Sequence, residues 1–183
     1  MRNPKLKPWL DAGISRIAKY GLSGINVSEM AEEIKIAKSS FYHYFTTKEE
    51  YLDQLMEYWE EEGTISIIKD VLLHPDTKQP VRHLLENVFG VNFVHEFVLQ
   101  QFRVSSYANK NIHNKVVEID LMRVSFLTTM LNKSGYTGDD ATKKAKQVYI
   151  YFLGNLANCN LKTPNKKEVQ LILDDFTNIF GEI

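Results

Sequence analysis

The chain has 183 residues, 44% hydrophobic and 25% charged, the balance of a soluble globular protein with room for one large or two small domains. No apolar run approaches the ~20 residues of a membrane span, and the basic start MRNPKLKPWLDAG lacks the apolar core and small-residue cleavage site of a signal peptide. A single cysteine, Cys159, excludes an intrachain disulfide and fits a reducing cytoplasm. The net charge of −1 argues by itself against a nucleic-acid partner, but it is unevenly spread. Residues 1–48 hold eight Lys or Arg against four acids, +4, and the remaining 135 residues hold fourteen against nineteen, −5. A basic N-terminal unit on an acidic body is polarised as a nucleic-acid reader would be. A chance asymmetry of a few charges gives the same split.

Helical periodicity dominates, with no internal repeat, low-complexity tract or alternating strand pattern. The first helix opens at Asn3-Pro4, a cap followed by proline, and its apolar stripe is Leu6, Trp9, Leu10, Gly13, Ile14, Ile17 and Ala18. It stops at Gly21, with Leu22 as the closing contact. Asn26 caps a second helix with stripe Val27, Met30, Ala31 and Ile34, and Glu29 sits where a capping box wants it. Lys35-Ile36-Ala37 breaks the rhythm, and Ile36 is placed to plug the gap to a third helix, Lys38 to Phe45. There Phe41, Tyr44 and Phe45 share an inward face, leaving Lys38, Ser39, Ser40, Tyr42 and His43 outward. Those are donors and a flat ring, suited to phosphates and to base edges in a major groove.

The gap-free stretch from about Trp9 to Leu52, WLDAGISRIAKYGLSGINVSEMAEEIKIAKSSFYHYFTTKEEYL, resembles the first four helices of the TetR family of transcriptional repressors. The resemblance is carried by Leu10-Asp11-Ala12, Gly21, Val27, Met30-Ala31, Tyr42-His43-Tyr44-Phe45 and Lys48-Glu49. It covers roughly a quarter of the chain and is specific for its length. It implies an all-α, nine-helix architecture. Residues 1–47 would form a three-helix helix-turn-helix DNA-binding domain, and residues 48–183 a larger helical body for ligand binding and dimerisation. Two positions depart from the family pattern. Lys35 stands where glycine is usual in the turn, at a cost on the order of 1 kcal/mol. Ala37 stands where Ser or Thr commonly caps the recognition helix, at a cost of about 0.5–2 kcal/mol.

The resemblance also implies roles for single residues. Tyr42, Lys48 and the cap region Asn26, Val27 and Ser28 would hold backbone phosphates, helped by the free N–H groups of a helix start. Lys38, Ser39, Ser40 and His43 would approach base edges. Each has a plainer reading: Asn26 as a cap alone, Lys48 as a solvated charge, His43 as a surface histidine.

The fourth helix starts at the Thr46-Thr47 cap and runs from Lys48 toward Leu73, with His74-Pro75-Asp76 as its stop. Gly63 inside it is a weak point or bend, and Glu60-Glu61-Glu62 is a solvated face. Pro80 to about Phe89 follows, broken at Gly90. Then come an apolar helix over Val91–Tyr107, a long one over Lys110–Lys133, one from Asp139 or Asp140 to about Asn160, and a last one over Lys166–Phe180. That last helix has a one-sided apolar face at 169, 172, 173, 176, 179 and 180.

The aromatic-rich middle, with sparse polar groups such as Arg103 and Arg123, has the composition of a small-molecule pocket. Phe93, Phe97, Gln100, Met122, Phe126, Tyr149 and Phe152 are its candidate lining, with ordinary core packing as the plainer reading of any one of them. In the family the last two helices pair between subunits. This gives Ala145, Val148, Phe152, Ile172 and Phe176 as candidate dimer contacts, unless both faces simply close the monomer core. Five histidines without metal spacing, no phosphate-cradling glycine loop and no GxSxG leave no catalytic arrangement and call for no metal or cofactor.

The sequence therefore reads as a cytoplasmic, homodimeric transcriptional regulator. It would bind a palindromic double-stranded DNA operator and release it to an unidentified small-molecule effector, without membrane attachment. Two alternatives stay open: a constitutive DNA-binding protein without inducer, and a helical ligand-binding or enzymatic body carrying a vestigial helix-turn-helix.

Overall fold

The computed structural model of the chain describes residues 3–73, 79–159 and 163–183. Asn3 accepts a hydrogen bond from the Lys5 amide and opens a 3-10 turn, Pro4–Leu6, which runs into α1, Lys7–Tyr20. α2 spans Val27–Ile34 and α3 spans Lys38–Tyr44. α4 is one rod in three pieces: α-helical Lys48–Glu60, a π turn over Glu61–Ile65, and α-helical Ser66–Leu73. α5 is Pro80–Phe89, α6 Phe93–Ser105, α7 Lys110–Lys133, α8 Gly138–Asn158 and α9 Lys166–Phe180. Among the described residues that is nine helices and no strand, the all-α order that the periodicity predicts. None of these helices is long and apolar enough to cross a membrane.

Boundaries follow local chemistry. α6 is shorter than the apolar run Val91–Tyr107 because the chain is still turning at Gly90: the Phe93 amide bonds back to the Gly90 carbonyl, and Val91 is 85% exposed. At its other end the Ser106 hydroxyl donates to the Arg103 carbonyl and closes the helix. α9 opens on a full capping box between Asn165 and Glu168. The predicted stop at His74-Pro75-Asp76 and the predicted end of α8 at Asn160 lie outside the described residues.

Two cores are buried. The first is aromatic and joins the N-terminal helices to the body. Trp9, Leu10 and Ile17 of α1 pack with Met30, Phe41, Phe45, Tyr51 and Leu55, and the cluster continues into Val98 and Phe102 of α6 and Ile112 and Ile119 of α7. The expected boundary at 47/48 falls at the start of α4, but this core runs straight across it. Gly13 lets α1 and α4 meet. A Cβ there would lie 2.0 Å from the Tyr51 hydroxyl, which donates to the Trp9 carbonyl. Burying each large side chain contributes roughly 1.5–3 kcal/mol.

The second core lies in the distal body, between Ile67 and Val71 of α4, Leu85 and Phe89 of α5, Leu131 of α7, and the inner faces of α8 and α9. It contains most of the candidate dimer contacts. Ala145, Val148, Phe152 and Phe176 are 0 to 5% exposed inside this core. Their stripe packs within the protomer; Ile172 is half-buried. The faces of α8 and α9 that remain open carry Ile150, Leu171 and Ile179, each more than half exposed.

Candidate nucleic-acid interface

α3 is held by its two inward rings. Phe41 stands edge-on to Trp9 at 5.3 Å between centroids, and Phe45 lies 4.9 Å from Phe41 and 4.9 Å from Tyr51. With those rings fixed, the opposite face of α3 points to solvent. Lys38, Ser39 and His43 are exposed, Tyr42 is 57% exposed, and Ser40 is half-buried. Tyr44, expected inward, is half-buried at the rim.

The turn is tighter than its sequence suggests. Lys35 adopts the left-handed conformation at φ 56°, ψ 40°, the one non-glycine residue with positive φ among those described. Its amide bonds the Glu32 carbonyl at 3.3 Å, and the Ile36 amide bonds the Ala31 carbonyl at 3.0 Å. These two bonds form a Schellman closure around a residue that is not glycine. Ile36 packs into the first core. Ala37 leads into α3 with no side-chain cap.

Asn26 caps α2. Its Oδ1 accepts from the Ser28 and Glu29 amides at 3.0 and 3.3 Å, so two of that helix's first N–H groups already have a partner. Its side-chain amide donates to Glu29 at 2.9 Å, so Glu29 does not reach back to the backbone as in a full capping box. Asn26 is exposed and Val27 and Ser28 are half-buried. Lys48 is exposed at the start of α4, behind the Thr47 cap that accepts from the Glu50 amide at 3.0 Å.

One structural residue of this unit escaped the sequence. Arg16, counted among the basic charges, is 6% exposed. Its Nε donates to the Gly24 carbonyl at 2.6 Å, its Nη1 to Glu33 at 2.6 Å and its Nη2 to Glu29. Burial pulls its pKa down, but Glu29 and Glu33 more than offset that and hold the guanidinium above its usual value. Arg16 brackets α2 onto α1 and adds nothing to the outward field. Among the described residues Lys35, Lys38 and Lys48 form no ion pair, so their charge faces solvent around α3.

A second feature lies in the body, under the π turn. A cavity of about 50 Å³ lies among α4, α5, α6, α7 and α8. Of the candidate ligand residues, Phe126, Tyr149 and Phe152 line it, whereas Phe93, Phe97, Gln100 and Met122 do not. Of its polar wall, Arg123 and Tyr149 were singled out from sequence, and Glu96 and Thr64 were not. Arg123 donates from Nη1 to Glu96 at 2.6 Å, and from Nη2 to Glu96 at 3.0 Å, to Thr64 Oγ1 at 2.9 Å and to the Gly63 carbonyl at 3.2 Å. Its guanidinium lies 5.5 Å from the Trp59 ring. Burial lowers the pKa of Arg123, and Glu96 more than restores it. Next to it Tyr149 donates to Asp120 at 2.7 Å, and Arg103 grips Asp120 with both arms of its guanidinium at 2.6 and 2.7 Å. The available signal was an acid, Glu96, set among the phenylalanines of an apolar helix.

Residues 10–55 match the family model described as "Bacterial regulatory proteins, tetR family". The whole chain is similar in fold to solved structures. A TetR transcriptional regulator from Legionella pneumophila is 16% identical, with 98% of each chain covered and a TM-score of 0.79. A transcriptional regulator from Rhodococcus sp. Rha1 is 15% identical, with 94% of each covered and a TM-score of 0.78. The transcriptional regulator FadR from Bacillus subtilis, solved in complex with stearoyl-CoA, is 18% identical, with 96% of this chain and 98% of that one covered and a TM-score of 0.65. No curated protein matches the sequence significantly. The N-terminal unit of this chain is a TetR-family helix-turn-helix, carried on the fold of the TetR-family regulators.

Proposed function

We propose that this protein is a DNA-binding transcriptional regulator that reads a palindromic operator as a homodimer and releases it to a small-molecule effector, as a repressor. The observation that carries the reading is the outward face of α3. Lys38, Ser39, Tyr42 and His43 stand exposed on a helix fixed from behind by Phe41 and Phe45. Rigid presentation of donors at groove width is what direct readout requires. Tyr42, Lys48 and the Asn26–Ser28 cap are the proposed phosphate contacts. Lys38, Ser39, Ser40 and His43 are the proposed base-edge contacts. At the α2 cap, a phosphate would meet the Val27 amide and the Ser28 hydroxyl, since Asn26 already holds the next two amides.

Two half-sites need two readers at a fixed spacing. The open faces of α8 and α9, with Ile150, Leu171 and Ile179, are the apolar surface on which a second copy would pack. An effector in the body would act by preferring the spacing that does not fit DNA. α4 is the element through which it would be felt, because that rod carries both the reader's Tyr51 and the cavity's Thr64. A soluble, cytoplasmic, non-catalytic role fits this reading.

The test is selection of duplex DNA from a random pool, with anisotropy titration of the winner over a salt series. A palindrome should emerge, and log affinity should fall steeply with log salt, by about 0.9 per phosphate held. Tyr42→Ala should weaken all sequences alike. Ser39→Ala should shift preference at one base pair by about 1–3 kcal/mol. No enrichment from ligand-free protein, or a Tyr42→Ala variant with undiminished affinity, sinks the proposal.

A further inference from the structure

The cavity under the π turn is apolar on most of its surface, and its polar wall is already internally satisfied. Glu96, with its side chain 1% exposed, receives both arms of Arg123, whose side chain is 11% exposed. Thr64 Oγ1 and the Gly63 carbonyl take the remaining reach of that guanidinium. Tyr149 donates a hydrogen bond to Asp120, whose charge is matched by Arg103. The charged groups of the lining are Glu96 and Arg123, so its formal charge is zero; Asp120 and Arg103 lie behind Tyr149.

We propose that this cavity takes a neutral, mainly apolar small molecule and discriminates against organic ions of the same shape. The proposal rests on the reading of the C-terminal body as an effector domain. A carboxylate could gain Arg123 only by taking it from Glu96, which would leave a buried carboxylate without its counter-ion. A cation drawn to Glu96 would meet Arg123 at the same place. A neutral apolar body asks nothing of the network and gains the burial of its surface. The space of about 50 Å³ holds only a few heavy atoms. Ile68, Leu84 and Phe126 on its wall are half-buried. They form the side that yields to a longer occupant.

The experiment offers the full chain three probes of one length at pH 7: hexan-1-ol, hexanoate and hexylammonium. Binding is read from methyl NMR shifts of Ile67, Ile68 and Leu85 and from the thermal midpoint. Hexan-1-ol should move these methyls in a saturable way, with an affinity at least about tenfold above either ion, a difference of about 1.4 kcal/mol. Leu84→Phe, checked for its fold by circular dichroism, should abolish saturation. An ion that binds as tightly as the alcohol, probes that leave the methyls unmoved, or a folded Leu84→Phe that still binds each overturns the proposal. Should Leu84→Phe not fold, the three probes on the unaltered chain decide alone. None of these readouts involves DNA, so failure of the operator titration and failure of this site are told apart.

Discussion

Two arginines, one in each half of the molecule, are tied to carboxylates, and they are tied differently. Arg16 in the reader holds Glu29 and Glu33, whose side chains are 54% and 50% exposed. Arg123 in the body holds Glu96, whose side chain is 1% exposed, beside a void. Water can replace a lost contact at Glu33; it cannot do so at Glu96. The reader is therefore a dense aromatic core with a surface bracket. The body depends on one closed polar network at its centre.

The largest effect should fall on the buried network. Arg123→Met strands the Glu96 carboxylate and should cost about 3–5 kcal/mol in urea unfolding. Adding Glu96→Met should recover most of that loss. A single-variant cost under about 1 kcal/mol would erase the contrast between the halves. Next is Gly13→Ala, whose new Cβ has the Tyr51 hydroxyl 2.0 Å away and should cost about 1–3 kcal/mol by forcing α1 off α4. An unchanged midpoint would show that the aromatic core is softer than its packing implies. Lys35→Gly should raise stability by about 0.5–1 kcal/mol, because glycine carries no penalty at φ 56°. Equal or lower stability would mean that the Schellman closure already absorbs the strain. The smallest is Glu33→Gln, which removes one half-exposed partner of Arg16 and should cost less than about 1 kcal/mol, an effect that fades in high salt. If it costs as much as Arg123→Met, the distinction between the two pairs fails.

Periodicity, caps and breakers made the helices legible. Pro80, Asn165 and the closing Gly21 act where they stand, and α7 and α9 begin and end at the predicted residues. Gly63 was legible as a weak point, though the form it takes, a π turn against the Trp59 ring, depends on a partner 60 residues away in Arg123. The reader's outward face was legible because Phe41 and Phe45 leave little choice about which side turns inward. Which apolar positions of α8 are buried within the protomer was not. Ala145 and Ile150 are both apolar residues of one helix, and only the neighbouring helices decide that the first is buried and the second exposed. Arg16 looks like an ordinary surface charge in the sequence, because its carboxylate partners lie 13 and 17 residues away; Arg123 stands out there as a polar group of the aromatic middle, but its partner Glu96, 27 residues away, does not.

The π turn in α4 is also a matter of phase. A π turn is equivalent to one extra residue taken up by an α-helix without breaking it. Each residue of an α-helix advances the side chains by about 100°, so a deletion elsewhere in this rod would swing one half's apolar face away from its core. Within Glu61–Ile65 the slack is already present. Removal of one residue there restores a regular helix and leaves Tyr51 and Leu55 on one core and Ile67 and Val71 on the other. It is the one place along α4 where the length of the chain can change while both cores keep their side chains.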